Sequence, residues 1–403
     1  MKTKLLILVM IFFCSCGSKR TNDSSTSNSV IKIDLLSEPG PKVQKLSEFA
    51  ANVEYIPLQT TDNSLMGGFI SKIVIMDKRF YVLYRFELLC FDKEGKFLFK
   101  LNNAGRGPEE YTYISDFDIS SDNKNLTILT GKKILLYGIY DTGFTFQKSI
   151  ILKDPNPWRV SIVPETNFAF LAIPPWRGTE PTLSLLINTA GDTIHFKPNC
   201  YKYKMVKKNN SRALNEMLVY SIGNMICFKE EFSDTVFYVD TKDNVFKPRL
   251  VFDSHGTLST AEMRGGLKTL EKNTTFIGSI FETSRYVFYW YDKWQQERPI
   301  NNLILYDKTT EKKYKLDINN ELKVELKDDL SGGPDFNINF LNHYCSGGKL
   351  FSFVEAITLK KYVAGEDFRN IKVSDLKKGE LKKIADALNE TDNPVLIIVT
   401  LKN

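Results

Sequence analysis

Three segments of this sequence share one pattern: 88-LLCFDKEGKFLFKL-101, 236-VFYVDTKDNVFKPRL-250 and 303-LILYDKTTEKKYKL-316. In each, an apolar run ends in an aspartate, a short polar turn follows, and a second run alternates between apolar and polar residues. Such a pattern is typical of a β-hairpin. The sequence therefore predicts that one kind of hairpin recurs along the chain.

Each hairpin belongs to a larger unit, because two further short apolar runs precede it. Units of about four strands recur roughly every 40 to 60 residues, the first starting near Phe69 and the sixth covering Ile338–Val363. A four-stranded unit at this period is typical of a propeller blade, and blades stacked in a ring bury each other's faces. The sequence predicts an all-β fold: a six-bladed β-propeller of four-stranded antiparallel blades.

The two ends of the chain are predicted to close the ring together. Val53–Thr60 and Val395–Leu401 both read as strands, and strands from both termini can complete one blade. Helical periodicity is rare, with a short C-terminal helix at Gly379–Glu390 and a weaker one at Thr260–Lys272. A doubly wound fold needs a helix between most strands, so this pattern disfavours it.

The N-terminus reads as an export signal. Lys2 and Lys4 precede the apolar run Leu5–Phe13, which is too short to span a bilayer and fits a signal peptide. Cys16 follows between two small residues, and this arrangement resembles a bacterial lipobox. The alternative is ordinary cleavage near Ser15, which would release a soluble protein.

Three segments are predicted from this interpretation. Residues 1–15 form the signal peptide, residues 16–29 carry the lipidated Cys16 and a flexible polar tether, and residues 30–403 form the propeller domain. Lipid chains on Cys16 would attach the protein to a membrane of the cell envelope, which we predict is the outer membrane. The face of that membrane stays open.

Charge and composition limit the classes of partner and cofactor that are expected. The formal net charge of +6 falls to +4 once Lys2 and Lys4 are removed, and no dense block of Lys and Arg follows, so nucleic acid is not expected as a partner. Three histidines without metal-ligand spacing predict no metal or cofactor, although His343 and Cys345 could form a two-ligand pair. A monomer is expected.

Four cysteines remain in the mature chain: Cys90, Cys200, Cys227 and Cys345. Export would permit disulfides in three full pairings. Their wide spacing instead favours buried free thiols in strands.

Longer segments resemble one family. They are 49-FAANVEYIPLQTTDNSL-65, 88-LLCFDKEGKFLFKLNNAGRGPEEY-111, 282-ETSRYVFYWY-291 and 393-NPVLIIVTLK-402. Together they are similar to the six-bladed β-propeller lipoproteins of gut Gram-negative bacteria, over about residues 30 to 403. The resemblance implies a propeller related in shape to NHL and TolB-like propellers. It implies no activity.

The most distinctive motif is 105-GRGPEEY-111, in which Glu109 stands where the resembling family usually has glycine. One interpretation is a ligand-facing loop that exposes Arg106, Glu109 and Glu110. The other, which we favour, is a shaped connection between blades with Tyr111 packed inward. Glycines at the start of the motif and Pro108 suit a fixed turn in either case.

Two aromatic segments supply the remaining candidates. Trp176 and Arg177 lie in 174-PPWRG-178, and Trp290, Asp292 and Trp294 lie in 289-YWYDKW-294. Aromatic faces beside charges suit a sugar or a peptide. Packing between blades is the alternative for both segments, and the one we favour.

The acidic run Asp116, Asp118, Ser120 and Asp122 could suggest calcium, but it alternates with apolar residues as a strand does. Extended residues two apart are about 6.6 Å apart, which is too far to wrap one ion. We therefore predict a strand here.

The sequence is consistent with two functions. The first is a membrane-anchored binding or scaffold module for a glycan, a peptide or an envelope protein. The second is a hydrolase or lyase acting on a polysaccharide or peptide at the channel mouth, motivated by Glu109, Glu110, Glu282 and Asp292 in expected loops. A converging cluster of carboxylates with shifted pKa values would favour the second.

Overall fold

The computed structural model describes residues 30–67, 70–152, 156–206, 216–295, 298–318, 324–338, 345–346 and 348–403, with backbone only for residues 338, 345 and 346. The predicted signal peptide, Cys16, the tether and His343 lie outside the described residues, and so does the side chain of Cys345.

The chain begins with three strands, β1 (Ile31–Asp34), β2 (Gly40–Val43) and β3 (Ala50–Pro57), and a 3₁₀ turn at Leu46–Glu48. Five sets of four strands follow, each forming one sheet in which spatial order equals chain order. They are blade 1, β4 (Ile70–Ile75), β5 (Arg79–Tyr84), β6 (Glu87–Asp92), β7 (Phe97–Leu101); blade 2, β8 (Asp116–Ile119), β9 (Asn125–Thr130), β10 (Lys133–Tyr140), β11 (Gly143–Ile151); blade 3, β12 (Arg159–Ile162), β13 (Ala169–Ala172), β14 (Thr182–Ile187), β15 (Thr193–Pro198); blade 4, β16 (Met217–Ile222), β17 (Met225–Glu230), β18 (Thr235–Asp240), β19 (Val245–Asp253); and blade 5, β20 (Thr275–Glu282), β21 (Tyr286–Gln295), β22 (Arg298–Asp307), β23 (Lys312–Leu316).

Blade 6 combines the two ends of the chain. Its strands are β26 (Cys345–Ser346), β27 (Lys349–Val354), β28 (Val395–Leu401) and β3. A separate pair, β24 (Val324–Leu326) and β25 (Phe336–Ile338), precedes it. The helices are α1 (Ala261–Gly265), α2 (Ala356–Ala364), α3 (Glu366–Asn370) and α4 (Asp375–Ala387). The six-bladed propeller predicted from the sequence is confirmed.

The recurring aspartate explains the repeated hairpin. The Asp92 carboxylate accepts the backbone N–H groups of Glu94 and Lys96, at 3.1 and 2.8 Å, and so fixes the turn between β6 and β7. Asp240 and Asp307 accept turn N–H groups in the same way in blades 4 and 5. Gly95 completes the first turn at φ +86°, where a Cβ atom would lie 2.1 Å from the Pro57 carbonyl oxygen. The motif therefore encodes a side-chain-capped turn.

Ring closure also follows the prediction. β28 pairs antiparallel with β3, and Val399 lies opposite Val53. Asn393, fully buried just before β28, accepts the Met66 N–H at 2.7 Å and donates to the Gln59 and Ser64 carbonyls at 2.9 and 2.8 Å. The C-terminal strand is thus fastened to the segment that leads into blade 1.

The N-terminal strands add a feature that the sequence patterns did not predict. β1 and β2 pair in parallel with the outer strands β19 and β23 and give blades 4 and 5 a fifth strand. The N-terminal segment therefore runs over the outer edges of two blades before it enters the third.

The helices differ from the prediction in several places. α1 covers only Ala261–Gly265 of the predicted Thr260–Lys272, and α3 was not predicted. α4 confirms the C-terminal helix but begins four residues earlier, at Asp375, where the Ser374 hydroxyl accepts the Lys377 N–H. α2 occupies a stretch that the sequence analysis included in the sixth strand-rich unit. Ala356 and Leu359 are fully buried three positions apart, which is helical spacing, and the mixed segment was wrongly interpreted as extended.

The apolar core lies in the six seams between neighbouring blades, since each large cluster of buried residues joins two adjacent sheets. The first strands of neighbouring blades contact one another around the axis, as β8 contacts β12 and β16 contacts β20. No helix among the described residues is both long enough and apolar enough to cross a bilayer.

Strand direction gives the ring two different ends. We call the end with the tight turns between first and second strands, such as residues 76–78 and 120–124, the turn face. The opposite end, with the connections between blades and between second and third strands, such as residues 102–115 and 173–181, is the loop face. Helices α1 to α4 all lie in loop-face connections.

Cys90 and Cys227 are buried free thiols, as predicted, whereas Cys200 is exposed and free. Its predicted burial is wrong because it lies just after β15, where the chain has left the sheet.

Candidate functional site

The central channel forms a cavity with a volume of about 830 Å³. Residues of the first strands of blades 1 to 5 line it, together with turn-face residues such as Asp77, Asn123 and Asn224. It therefore opens on the turn face. Its walls carry both charged and apolar side chains, which is the composition expected of a ligand site of this size.

Asp116 is at the centre of the polar contacts in the channel wall. It is 2% exposed, and its Oδ1 atom lies 2.8 Å from the Lys72 ammonium of blade 1. Its Oδ2 atom accepts the Val160 N–H of blade 3 at 3.0 Å, and Lys72 also donates to the Phe117 carbonyl at 2.6 Å. One carboxylate thus links three consecutive blades, so its first role is structural.

Asp118 lies two residues further along β8, and its hydrogen-bond donors are backbone N–H groups. Its Oδ2 atom accepts the Ile162 N–H at 2.8 Å and its Oδ1 atom accepts the Ile119 N–H at 2.9 Å. Each carboxylate oxygen can accept two hydrogen bonds, so the group keeps capacity for a ligand. Burial raises the pKa of Asp118 to about 6, although the Lys72 charge and the backbone donors oppose this shift.

Other polar groups surround the same space. Arg159, the first residue of β12, and Ser161 line the channel from blade 3, and Ser221 and Asn224 line it from blade 4. Asn224 donates to the Glu165 carboxylate at 2.9 Å. We call Lys72, Asp118, Arg159, Ser161, Ser221 and Asn224 the channel mouth. Cationic, acidic and neutral hydrogen-bonding groups together suit a ligand with several polar functions, and Asp118 can exchange a proton near neutral pH.

The GRGPEEY motif forms a shaped connection between blades 1 and 2, with Tyr111 buried. Glu110 folds back, and its carboxylate accepts the Gly107 N–H at 2.7 Å. Tyr137 donates to the Glu109 carbonyl at 2.8 Å, while the side chains of Arg106 and Glu109 are exposed. These contacts fit the interpretation that we favoured, and they leave two exposed charges on the loop face.

Trp176 and Arg177 lie in the loop-face connection of blade 3. The Trp176 ring packs edge-on against Trp158, with ring centroids 5.1 Å apart. Arg177 is exposed, and its backbone N–H donates to the Glu180 carboxylate at 2.8 Å. Gly178, at φ +72°, brings this loop against Tyr203, so close that a Cβ atom would lie 2.5 Å from the ring.

The third candidate segment lies in β21. Trp290 is 2% exposed in the core, and its indole N–H donates to the Asp292 carboxylate at 2.7 Å. Burial raises the pKa of Asp292. Trp294 is partly exposed at the loop-face end of the strand. The burial of Trp290 fits the packing alternative.

Glu282, which we expected in a loop, is instead the fully buried last residue of β20. It accepts the Tyr220 hydroxyl at 3.0 Å and pairs with Arg249 at 2.7 Å and Lys308 at 3.0 Å. The loop position is wrong because the run of alternating residues that forms β20 continues through Glu282. The group stabilises the seam between blades 4 and 5.

The exposed candidates named from the sequence, Arg106, Glu109 and Arg177, therefore lie on the loop face, and Trp290 and Glu282 are buried, whereas the channel opens on the turn face. Sequence reasoning missed Lys72 and Arg159, and it considered Asp118 only as a calcium ligand. The signal in the sequence was the acidic pair Asp116 and Asp118 inside the first strand of a blade. First strands line the channel once the blades form a ring. Among the described residues, no three His, Cys, Asp or Glu side chains converge as metal ligands would.

Comparisons with known proteins find similar solved structures and a family. A solved structure of a protein assigned as exported, from Bacteroides fragilis, superposes with a TM-score of 0.63 at 17% identity, over 93% of this chain and 100% of that chain. A member of the duf4221 family from Bacteroides vulgatus gives a TM-score of 0.43 at 10% identity, over 88% of this chain and 97% of that chain. No curated protein matches the sequence at a significant level. One family profile, described as a domain of unknown function (DUF4934), matches residues 30–400.

Proposed function

The chain belongs to the DUF4934 family, and we propose that this member is a binding module of the cell envelope that takes a polar ligand, a short glycan or a peptide, at its channel mouth. In this proposal a lipid on Cys16 attaches the monomeric propeller to the outer membrane. The rigid ring then displays the channel mouth to ligands near that membrane.

The channel itself is the observation that carries the proposal. Its volume of about 830 Å³ falls in the range of roughly 300 to 1,000 Å³ that is usual for ligand pockets. Arg159 and Lys72 offer donors, and Asp118 offers an acceptor with unused capacity. A glycan or peptide carries donors and acceptors in close succession, which is the chemistry that this mixture would recognise.

Two observations support attachment at the envelope. The sequence before residue 30 has the charged start, apolar run and Cys16 of a lipidated export signal. The solved relative from Bacteroides fragilis is itself assigned as exported. Replacing Cys16 by Ser should move the protein from the membrane fraction to the soluble fraction, and unchanged membrane retention would refute the anchor.

The binding experiment compares the two faces of the ring. The full-length chain carrying Cys16→Ser is screened against panels of glycans and of short peptides. For any ligand found, Arg159→Gln in the channel mouth should weaken binding at least about tenfold, the loss of one charge-assisted hydrogen bond. The matched control Arg106→Gln removes an exposed arginine on the loop face and should leave affinity unchanged. The reverse result would place the site on the loop face, and a panel without ligands would remove the support.

Catalysis by a hydrolase or a lyase is a second candidate function, and Asp118 is the residue that favours it. A carboxyl group whose pKa is about 6 can donate or accept a proton near neutral pH. If the ligand is also cleaved, Asp118→Asn should abolish cleavage and retain binding. If ligand stays intact by mass spectrometry after long incubation with the wild-type protein, the binding function alone remains.

A further inference from the structure

Aromatic side chains fill the seam between blades 1 and 2 in a regular way. Tyr81, Cys90 and Phe99 lie opposite one another on β5, β6 and β7 and form one rung that faces blade 2. Phe144, from the outer strand of blade 2, packs against Tyr81 and Phe99 with ring centroids 6.3 and 5.1 Å away. An inserted phenyl ring therefore fills this seam.

The seam between blades 3 and 4 repeats the arrangement. Phe170, Leu186 and His195 form the corresponding rung on β13, β14 and β15. Phe246, from the outer strand of blade 4, packs against Phe170 and His195 with ring centroids 5.9 and 4.8 Å away. The inserted residue is again a phenylalanine, and strand register places it as in the first seam.

The seam between blades 2 and 3 lacks these rings. Its rung on β9, β10 and β11 consists of Thr127, Leu136 and Lys148. Phe144 and Phe246 each lie opposite the last buried residue of the third strand of their blade. In blade 3 that last buried residue is Ile187, and Thr193 lies opposite it. The buried cluster of this seam is wholly aliphatic.

A cavity lies where the rings are missing. It has a volume of about 630 Å³, and Thr127, Leu136, Lys148 and Ile187 are among the residues that line it. Asp122 and Ile162 line both this cavity and the channel, so the two spaces are neighbours on the turn face. The cavity is open to solvent, and polar residues such as Asn125 and Thr166 line it beside the aliphatic side chains and Phe168.

The turn between β14 and β15 keeps the two blades at a fixed spacing. The Lys148 ammonium donates to the Thr189 carbonyl at 2.6 Å. Gly191, at φ +88°, lies so close to Ile150 that a Cβ atom would be 2.7 Å from that side chain. Blade 3 contacts blade 2 through this turn. We therefore infer that the two blades cannot move closer together to fill the cavity.

We propose that this inter-blade cavity binds a small ligand carrying a phenyl-sized aromatic ring. The ring would take the place that Phe144 and Phe246 hold in the neighbouring seams, against Leu136 and Ile187. The Lys148 ammonium at the wall favours an aromatic face over an aliphatic group, because a cation is attracted to the negative face of the ring. Rim groups such as Asn167 and Gln147 can bond to polar substituents of the ligand.

The test uses N-acetyl-L-phenylalaninamide as the probe and N-acetyl-L-alaninamide as its matched control, with the full-length chain carrying Cys16→Ser. Saturation-transfer NMR should show saturable binding of the aromatic probe with a dissociation constant of about 0.5 mM, the affinity that ordinary ligand efficiency gives a compound of this size. The alanine probe should give no transfer. Equal transfer to both probes, or none to either, would overturn the proposal.

Substitutions then locate the site. Thr193→Phe should fill the cavity, raise the melting temperature by about 1–2 °C and weaken probe binding at least about tenfold. Thr193→Val, which adds no ring, should retain binding. If Thr193→Phe does not fold, Thr127→Tyr fills the same space from blade 2 with the residue that blade 1 carries at that position. Undiminished binding in the folded filled variant would refute the site. This site does not depend on the channel ligand, so either proposal can fail alone.

Discussion

Replacing Glu282 by glutamine tests the ionic cluster in the seam between blades 4 and 5. Glu282 is fully buried and faces two cations, Arg249 and Lys308, at 2.7 and 3.0 Å, as well as the Tyr220 hydroxyl. Glutamine has nearly the same shape but no charge. The variant therefore keeps the packing of the seam and leaves two cations without their shared counter-ion.

The expected cost follows from this arrangement. Removing one partner of a buried ion pair typically destabilises a protein by about 3–5 kcal/mol. Glutamine still accepts a hydrogen bond, so we expect the lower end, about 3 kcal/mol. Unfolding entropy of about 2.1 cal/mol/K per residue, over the roughly 370 residues of the propeller domain, converts this into a fall in melting temperature of about 4 °C.

Urea denaturation and thermal melting of the wild type and Glu282→Gln measure the effect. The matched control is Asp386→Asn, which breaks the exposed pair with Lys382 on α4 and should cost less than about 0.5 kcal/mol. Adding Lys308→Met to Glu282→Gln should recover part of the loss, because one uncompensated cation is removed. A loss below about 1 kcal/mol for Glu282→Gln, or no recovery in the double variant, would refute the reasoning.

Three further predictions concern other buried groups. Burial raises the pKa of Asp118 to about 6, above the value of about 3.9 in an unfolded chain, so the stability that its proton supplies is present below pH 4 and is lost as the pH rises through 6. Melting temperatures from pH 4 to 7 should show this fall in the wild type and not in Asp118→Asn; equal slopes would contradict it. Asn393→Ala removes the side-chain partner of two buried backbone groups, the Met66 N–H and the Ser64 carbonyl, and should cost about 3 kcal/mol in urea denaturation, whereas a loss below about 1 kcal/mol would show that closure does not depend on it. Burial raises the pKa of the Cys90 and Cys227 thiols, so a thiol reagent at pH 8 should label Cys200 and leave those two unmodified until the protein is denatured. Peptide mass spectrometry would detect early labelling of either buried thiol.

Short-range patterns predicted the blades because hairpins are local structures. The aspartate before each turn, such as Asp92, caps the turn with its own side chain, so it can be recognised within a few residues. Ring closure by Val395–Leu401 was also predictable, since apolar strand-like runs stand near both ends of the chain and can complete one blade. β1 and β2 were not, because four-residue strands that add to an outer edge carry too little alternation to be recognised.

The sites depended on contacts that are distant in sequence. The exposed position of Arg106 and the burial of Tyr111 agreed with a motif-level interpretation, whereas Trp290 and Glu282 required the tertiary structure. A tryptophan beside an aspartate looks the same in sequence whether it packs in a seam or faces solvent. The blade that lies against it decides between the two.

The kind of fold can be read from the sequence: a four-stranded unit recurs along the chain, three of its copies carry the aspartate-capped turn, and the N-terminus predicts export. Those properties are local, because turn chemistry and two-residue periodicity act within a blade. The positions of the buried charges and of the cavities follow from the tertiary structure. Asp116 meets Lys72 and the backbone of Val160 because three blades converge on one axis, and the cavity beside Leu136 and Ile187 lies in a seam whose buried cluster contains no aromatic ring. Both features depend on which residues face each other across a seam, and that pairing is set when the ring closes.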